Sequence, residues 1–319
     1  MTEFLEDKSR LKKKMWYEFQ TKLVWKPVIF MTVLHLVSLY YFVTFPYWQQ
    51  LGVFMFAFII SSFANFGVTA GAHRLWTHRA YKAKTPLRII LAVFFYMAGQ
   101  NSIHYWVRDH RVHHKYTDTP ADPHDNTRGF WFSHVGWLVM KRRPEVFQRG
   151  KKIDMSDILN DPVVQFFDRH SFIFTILLTI VLPIVIPVYI FGHSWKWTII
   201  AQIFMRYPWC LNATWSVNSF AHMFGYHSYD KNIRPAENIF VSFVAAGEGW
   251  HNYHHTFPWD YKTSEFKSFF FNNTTNWIDL FAKIGWAYDL RQASPELIKL
   301  TAERRGDGTH PNDVGKSIN

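Results

Sequence analysis

Four long apolar stretches dominate the chain, and most polar residues lie between and after them. Each stretch is about long enough for a helix to cross the ~30 Å hydrocarbon core of a membrane. The spans are predicted at about 28–45, 51–71, 172–191 and 197–220. Only Pro46 to Gln50 separates the first two, which predicts a tight helical hairpin, and Pro183 with Pro187 predicts a kink in the third. The pattern favours an all-α integral membrane protein with four transmembrane helices.

Histidines occur in three groups outside the apolar stretches. The groups are His73 with His78, then His110, His113 and His114, and finally His251, His254 and His255. The last two groups share the spacing i, i+3, i+4, which places three rings on one face of a helix. Isolated surface histidines would not be expected to repeat this spacing. We therefore interpret the groups as one metal site assembled from distant parts of the chain, for which imidazole suits iron, zinc, copper or nickel.

Polar residues also recur every four residues inside two of the spans. In the last span they are Thr214, Asn218 and His222, with Trp215 beside them, and in the second span they are Ser61, Asn65, Thr69 and His73. Such residues in a membrane helix rarely face lipid, so we expect both stripes to face the protein interior. The stripe in the last span would bring Asn218 and His222 to the metal site.

Nine histidines and one amide exceed the four ligands of a tetrahedral structural zinc site. They suit a dinuclear site with about five ligands per metal ion, and all-nitrogen ligation favours iron or copper redox chemistry. Carboxylates near the histidines are expected to orient the rings rather than to bind metal. These carboxylates are Asp109, Asp122, Asp125 and Glu248.

A fifth apolar stretch, from Pro86 to Ile103, contains an arginine and two amides. If it crossed the membrane, the first two histidine groups would lie on opposite sides and could not form one site. We therefore expect it to lie at the interface or to re-enter, so that 72–170 and 221–319 form a helical cap on the side of both termini. Lysine and arginine counts agree, with seven in 1–27, sixteen in 74–170, ten in 221–319, and only Lys196 in the connections 46–50 and 192–196. By the positive-inside rule, the cap is cytosolic.

Composition narrows the class of protein further. Aromatic residues make up 19% of the chain, as is typical of a protein that lines both membrane interfaces. The net charge of +11 suits nucleic acid, anionic lipid or a phosphorylated substrate, but no nucleic-acid motif is present, so we expect no nucleic-acid partner. The single cysteine, Cys210, excludes an intrachain disulfide. The N-terminal region is lysine-rich without a small-residue cleavage site, so we expect no removed signal peptide, and we expect an interfacial helix around Trp16–Trp25.

Six motifs follow one another along the chain. They are H-R-L-W-T-H from His73, R-D-H-R-V-H-H-K from Arg108, A-D-P-H from Ala121, S-H-V-G-W from Ser133, L-N-A-T-W-S-V-N-S-F-A-H from Leu211 and G-E-G-W-H-N-Y-H-H from Gly247. In order, spacing and flanking residues this set resembles the membrane acyl-CoA desaturases of the stearoyl-CoA Δ9 type. The resemblance extends from about Val24 to Gly308, nearly the whole chain.

The resemblance implies a single membrane desaturase domain, 1–319, in the endoplasmic reticulum membrane, multi-pass with both termini cytosolic. Such enzymes use two iron ions, O2 and electrons from cytochrome b5 and its reductase to introduce a cis double bond into a saturated long-chain acyl-CoA, usually at carbons 9–10. The implied ligands are His73, His78, His110, His113, His114, His222, His251, His254 and His255, with Asn218 acting through a water. Zinc is expected as an alternative occupant when an overexpressed protein is mismetallated.

The resemblance also implies the substrate contacts. A bend in the acyl tunnel corresponds to Gln100, Trp106, Thr214 and Trp215, and contacts with the acyl-CoA head correspond to Asn101, Arg108, Asp109, Lys141 and Arg142. The methyl end is closed by the second span, where the stripe places Ser61 and Asn65. Because Ser61 is small, we expect room for a stearoyl or slightly longer chain. The basic runs Lys141–Arg143 and Lys151–Lys152 independently offer a surface for a polyanion such as coenzyme A.

Three alternatives remain open from the sequence. A desaturase of another regioselectivity, for example Δ11, and a fatty-acyl hydroxylase would share the same histidines. A metal transporter or sensor belongs to another class of protein. It would place metal-binding residues midway across several spans, whereas here the histidine groups lie mostly in the loops.

Overall fold

The structure is a computed structural model that describes residues 21–266 and 270–310. The helices in this part of the chain are α1 (Trp25–Thr44), α2 (Leu51–Thr77), α3 (Thr85–Ala98), α4 (Ile103–Tyr116), α5 (Pro144–Gly150), α6 (Ser156–Leu159), α7 (Pro162–Arg169), α8 (Ser171–Phe191), α9 (195–223), α10 (Ile239–Val244), α11 (His251–Thr256), α12 (Asn273–Lys283) and α13 (Pro295–Arg305). Short helical turns occur at Asn126–Arg128, Phe132–Gly136 and Trp137–Val139. Two strands, β1 (Lys82–Ala83) and β2 (Ala287–Tyr288), pair antiparallel with Lys82 opposite Tyr288. The interfacial helix expected around Trp16–Trp25 lies largely outside the described residues.

Three of these helices are long and apolar enough to cross a membrane. They are α1, α2 and α8, with 20, 27 and 21 residues. Their outer faces expose large apolar side chains such as Leu36, Val43 and Phe172, as expected of surfaces that contact lipid. These helices are candidate membrane spans by length and composition, and they coincide with the predicted spans 28–45, 51–71 and 172–191. The kink predicted from the two prolines of α8 stays a prediction, although residues 176–181 of that helix have the i→i+5 hydrogen bonding of a π-helix.

Helix α9 covers the fourth predicted span, 197–220, as one continuous helix built from three segments. It is more polar than the other three, because it buries Thr198, Gln202 and Arg206 within its first half. It is not among the three apolar helices. A crossing by α9 therefore depends on the polar side chains facing protein rather than lipid.

Helix α3 covers most of the fifth apolar stretch and is too short to cross a membrane. Its 14 residues rise only ~21 Å, less than the ~30 Å of a membrane core. It starts with Pro86 in its first turn and ends at Gly99, whose φ of 63° is the left-handed conformation that terminates helices. Leu87, Leu91 and Phe95 bury its inner face in the core that α2 shares. The stretch therefore packs along α2 and does not separate the histidine groups, as expected.

Helices α2 and α3 touch most closely at Gly67. A Cβ atom at this position would lie 2.1 Å from the backbone nitrogen of Phe95 and 2.3 Å from the carbonyl carbon of Phe94, so only glycine fits. From Gly67 to Thr77, α2 adopts π-helical hydrogen bonding, and every residue of this segment is buried. The segment carries His73 into the interior of the protein.

Candidate metal centre

Helices α2, α4, α9 and α11 bring the nine histidines together in one buried region. His73 lies in the π-helical segment of α2, and His78 directly follows that helix. The two groups with i, i+3, i+4 spacing lie on α4 and α11, each on a helix as predicted. His222 lies in the last turn of α9.

The rings form two sets, each with its nitrogen atoms converging within 4.8 Å of one another. The first set is His73, His78, His110, His114 and His254, and the second is His113, His222, His251 and His255. Helices α4 and α11 each contribute to both sets. The rings of His114 and His255 stack with centroids 4.2 Å apart where the two sets meet. The arrangement therefore offers two adjacent groups of rings, each of which could hold a metal ion.

The nitrogen atoms of these rings face each other without enough hydrogen-bond partners. His254 Nε2 lies 3.0 Å from Nε2 of both His73 and His114. A neutral imidazole nitrogen carries either one proton or one lone pair, so His254 Nε2 can make an ordinary hydrogen bond to at most one of these two nitrogens. His78 Nε2 and His113 Nε2 are buried with no hydrogen-bond partner among the described residues. Converging, unmatched nitrogen lone pairs are the donor set that a divalent transition metal satisfies.

Two carboxylates contact the outer nitrogens of the rings. Glu248 Oε2 lies 2.7 Å from His73 Nδ1, and Asp122 Oδ1 lies 2.9 Å from His113 Nδ1. A proton held on Nδ1 leaves the lone pair on Nε2, which faces the other rings. The buried Arg74 donates to Glu248 at 2.8 Å and keeps that carboxylate ionised. These contacts agree with the role expected for Asp122 and Glu248, whereas Arg74 was not anticipated.

The same expectation was wrong for Asp109 and Asp125. Asp109 pairs with Arg108 at 2.8 Å and with Arg142 at 2.6 Å. It precedes His110, and adjacent residues of a helix point about 100° apart. Asp125 accepts hydrogen bonds from Thr127 and pairs with Arg143. Asp118, which the sequence did not single out, lies 3.9 Å from His222 Nδ1 instead.

Burial keeps most of the rings outside the membrane spans neutral. Desolvation and the neighbouring rings lower the pKa well below 6.5 for His78, His110, His114, His254 and His255. The same causes lower the pKa of His251 to about 3. For His113, burial is outweighed by Asp122, which raises the pKa. Neutral imidazole is the form that binds metal, so the fold prepares the rings for a cation.

A cavity of about 220 Å³ opens beside the histidines. Its wall is mostly apolar and aromatic, and it includes His73, His110 and His251. The predicted site residues on this wall are Asn65, Gln100, Asn101, Trp106, Asp109, Arg142, Thr214, Trp215 and Asn218. The structure thus brings most of the predicted tunnel and head-contact residues to one cavity that reaches the candidate metal centre.

Three predicted residues lie elsewhere. Ser61 is not on the cavity wall, and its side chain contacts Cys210. Arg108 lines a separate surface pocket of about 310 Å³ together with Arg142 and Lys151. Lys141 lines a small pocket beside Arg142. Arg142 is therefore shared by the cavity and both basic pockets.

Hydrogen bonds fix the side chains at the predicted bend of the tunnel. Gln100 Nε2 donates to Thr214 Oγ1 at 2.8 Å, and Trp106 Nε1 donates to Gln100 Oε1 at 3.3 Å. The amide is thus oriented from both sides, with its donor and its acceptor each used once. This contact joins α9 to the connection between α3 and α4 at the cavity wall.

A polar chain that the sequence reasoning missed surrounds Trp215. The Trp215 ring stacks on His35 with centroids 6.0 Å apart. Asn212 links His35 and His134, each at 3.0 Å, and His134 contacts Ser219 at 2.8 Å. Asn212 and Ser219 lie in α9 close to the polar stripe of Thr214, Asn218 and His222. Nothing in the spacing of Asn212 and Ser219 pointed to a histidine elsewhere in the fold.

Comparison with known proteins identifies the class. Residues 46–264 match the family model of fatty acid desaturases. The chain is 47% identical over 293 residues to an acyl-CoA Delta-9 desaturase of Acheta domesticus, covering 92% of this chain and 81% of that protein. It is 48% identical over 274 residues to an acyl-CoA Delta(11) desaturase of Trichoplusia ni, covering 86% and 77%. It is 48% identical over 288 residues to stearoyl-CoA desaturase 5 of Bos taurus, covering 90% and 85%.

The chain belongs to the fatty acid desaturase family, and the resemblance drawn from its motifs is confirmed. The names of the relatives differ in the position of the double bond. Family membership therefore leaves the regioselectivity of this chain open.

Proposed function

We propose that this protein is an acyl-CoA desaturase that acts on saturated long-chain acyl-CoA with O2 and electrons from cytochrome b5 and its reductase. The observation that carries the proposal is the mostly apolar cavity whose wall includes His73, His110 and His251. An apolar cavity with a few polar groups suits an acyl chain. Its contact with the histidines would place a methylene group beside the metal positions.

Two iron ions fit the residues present. Five imidazoles converge in the first set and four in the second, where Asn218 on the cavity wall would complete the shell through a water. Bound iron would supply, with O2, the oxidant needed to remove hydrogen from an unactivated methylene. The protein would hold the ions, orient the rings through Asp122 and Glu248, and shield them from bulk water.

Substrate placement follows from the basic pockets and the cavity. Arg108, Arg142 and Lys151 would receive the polyanionic coenzyme A head at the surface, with Lys141 beside them. The acyl chain would extend past Asn101 and Asp109 into the cavity. There Gln100, Trp106, Thr214 and Trp215 would set which carbons face the metal positions, which is a positioning effect.

We propose that the protein introduces the double bond at carbons 9–10. The Δ11 desaturase of Trichoplusia ni is as similar as the Δ9 enzymes are, so Δ11 is the specific alternative. A hydroxylase on the same scaffold is the other. We further propose four membrane spans, counting α9, and an endoplasmic reticulum location with both termini cytosolic.

Expression in a desaturase-deficient cell tests the function directly. The expected result is new cis-monounsaturated fatty acid, with the double bond located by mass spectrometry of derivatised products. The matched negative control is His113→Ala, which removes one ring of the second set. Hydroxylated product, or no product from an inserted and iron-loaded protein, would contradict the proposal. A preparation that contains zinc instead of iron should be inactive and should gain activity on exchange.

A further inference from the structure

Gln100 lies in a backbone segment that needs support from outside. The residues on either side of it, Gly99 and Asn101, have φ angles of 63° and 75°. A non-glycine residue in this left-handed region is strained, and such conformations persist only when surrounding contacts determine them. Asn101 has one local contact, since its side chain accepts a hydrogen bond from Ser102 N. The position of the turn must therefore be fixed mainly by its neighbours.

Three side chains from α8 and α9 hold the end of α3 that leads into this turn. Arg206 donates to the carbonyl oxygens of Met97, at 3.0 Å, and Thr179. The Thr179 hydroxyl donates to Tyr96 O at 2.7 Å, and the Tyr207 hydroxyl donates to Gly99 O at 3.4 Å. The last carbonyls of a helix have no partner within the helix. Two of these carbonyls in α3, those of Tyr96 and Met97, and the carbonyl of Gly99 are thus satisfied by side chains from neighbouring helices.

Packing at Gly99 shows how closely these side chains approach the turn. A Cβ atom at this position would lie 2.9 Å from the Tyr207 ring and 3.1 Å from the Thr179 methyl group. Arg206 is 2% exposed, and its positive charge faces the C-terminal end of α3, where a cation is favoured. An arginine inside a membrane helix is costly, and such residues usually serve a function.

Helix α9 holds Gln100 at two levels. Arg206 and Tyr207 fix the backbone of the turn, and Thr214, about two helical turns further along α9, fixes the side chain through its 2.8 Å hydrogen bond. The position of the Gln100 amide along the cavity wall therefore depends on these contacts with α9. We propose that Arg206, Thr179 and Tyr207, of which Tyr207 also lies on the cavity wall, fix the position of Gln100 and thereby select which acyl carbon faces the metal centre. This inference rests on the proposed desaturase function.

Two conservative variants test the proposal. Thr179→Val and Tyr207→Phe each remove one hydroxyl and keep the size of the side chain. The matched control is Thr198→Val, which removes a fully buried hydroxyl from α9 that has no hydrogen bond to the turn. The ratio of double-bond positions in the products should change roughly fivefold in the first two variants, as expected for loss of a hydrogen bond worth about 1 kcal/mol, and should stay unchanged in the control.

Bound metal and thermal stability are measured alongside, because a merely structural role would change these and leave the product ratio alone. A double-mutant cycle with Gln100→Leu adds a second criterion. If the positioning residues act through Gln100, the effect of Thr179→Val on the ratio should largely disappear in the Gln100→Leu background. Unchanged ratios in metal-loaded Thr179→Val and Tyr207→Phe, or additive effects in the cycle, would overturn the proposal. Absence of unsaturated product from the wild type would instead overturn the proposed function.

Discussion

At the scale of single residues, two carboxylates explain how buried histidines are oriented to bind a cation. Asp122 and Glu248 lie within 2.9 Å of the outer nitrogens of His113 and His73, where a carboxylate favours a proton on the ring. The inner nitrogens are thereby left as lone pairs. Sequence proximity alone could not distinguish these carboxylates from Asp109 and Asp125, because the distinction depends on loop conformation and helix rotation.

The contrast between Asp122 and Asp125 gives a matched test. Asp122→Asn removes the negative charge that orients His113, and loss of such a partner typically weakens metal binding about 10- to 100-fold. Asp125→Asn removes the same charge three residues away, where the partners are Thr127 and Arg143. We expect only the first variant to lose metal during dialysis against a chelator, as measured by elemental analysis. Equal losses in both would show that the contact with His113 has no special role.

The lowered pKa values predict how the metal-free protein responds to acid. Eight rings outside the membrane spans have a lowered pKa, namely His78, His110, His114, His124, His134, His251, His254 and His255. Below about pH 6.5 the unfolded chain protonates these rings while the folded protein does not, so each ring lowers the free energy of unfolding by up to about 1.4 kcal/mol per pH unit. Burial acts oppositely for Glu237 and Asp118, raising their pKa to about 8 and about 6, and Asp122 raises that of His113. The eight rings outnumber these three groups.

We therefore expect the melting temperature of the chelator-treated protein in detergent to fall between pH 6.5 and 5. The stability that neutral rings contribute is fully present above pH 6.5 and is lost as pH falls. The metal-loaded protein should begin this decline at lower pH, because the cation competes with protons for the same nitrogens. A melting temperature that rises on acidification over this range would contradict the prediction.

At the scale of helices, regular spacing was informative only over short distances. The i, i+3, i+4 groups were correctly placed on the helices α4 and α11. The longer stripe from Ser61 to His73 was less reliable, since Asn65, Thr69 and His73 line the cavity but Ser61 does not. Residues four apart drift by about 40° per step on a helix of 3.6 residues per turn, or about 120° over three steps. The π-helical segment from Gly67 to Thr77 adds a change of pitch that no residue pattern predicted.

The close contact of α2 with α3 predicts the effect of one methyl group. Gly67→Ala would place a Cβ atom 2.1 Å from Phe95 N, so the two helices must separate. Overpacking of this kind costs about 1–3 kcal/mol. Gly150→Ala is the control, since its Cβ atom would make only ordinary contacts, with Arg108 side-chain atoms at 3.7 Å and with Val112 at 3.8 Å. We expect a lower melting temperature for Gly67→Ala alone, and comparable melting temperatures for both variants would show that α3 can move aside freely.

At the scale of the whole molecule, the sequence correctly predicted that distant histidines come together in one site. It was less informative about which sites could report the orientation in the membrane. Two overlapping glycosylation sequons, Asn272–Thr274 and Asn273–Thr275, lie in the segment 221–319 that is predicted to be cytosolic, where they would stay without a glycan. The structure buries Asn272, Thr274 and Thr275, and Asn272 donates to Lys262 O. A glycan on Asn272 is therefore excluded sterically on either side of the membrane, so its absence there would not report the orientation, whereas Asn273, the acceptor of the second sequon, is partly exposed. Burial of this loop depends on tertiary contacts that a sequon pattern does not contain.

Cysteine labelling gives an orientation test that burial does not confound. The natural Cys210 is buried, so a single added cysteine reports its own position. Gln49, Lys196 and Lys231 are exposed and lie in the connection after α1, at the start of α9 and in the cap after α9.

If α9 crosses the membrane as the fourth span, a membrane-impermeant maleimide should label Lys231→Cys in sealed microsomes. It should label Gln49→Cys and Lys196→Cys only after detergent is added. Labelling of Lys196→Cys and Lys231→Cys under the same conditions would mean that α9 does not cross. If α8 crosses and α9 does not, the segments 72–170 and 221–319 would lie on opposite sides of the membrane, which is incompatible with the histidine groups that the two segments form together.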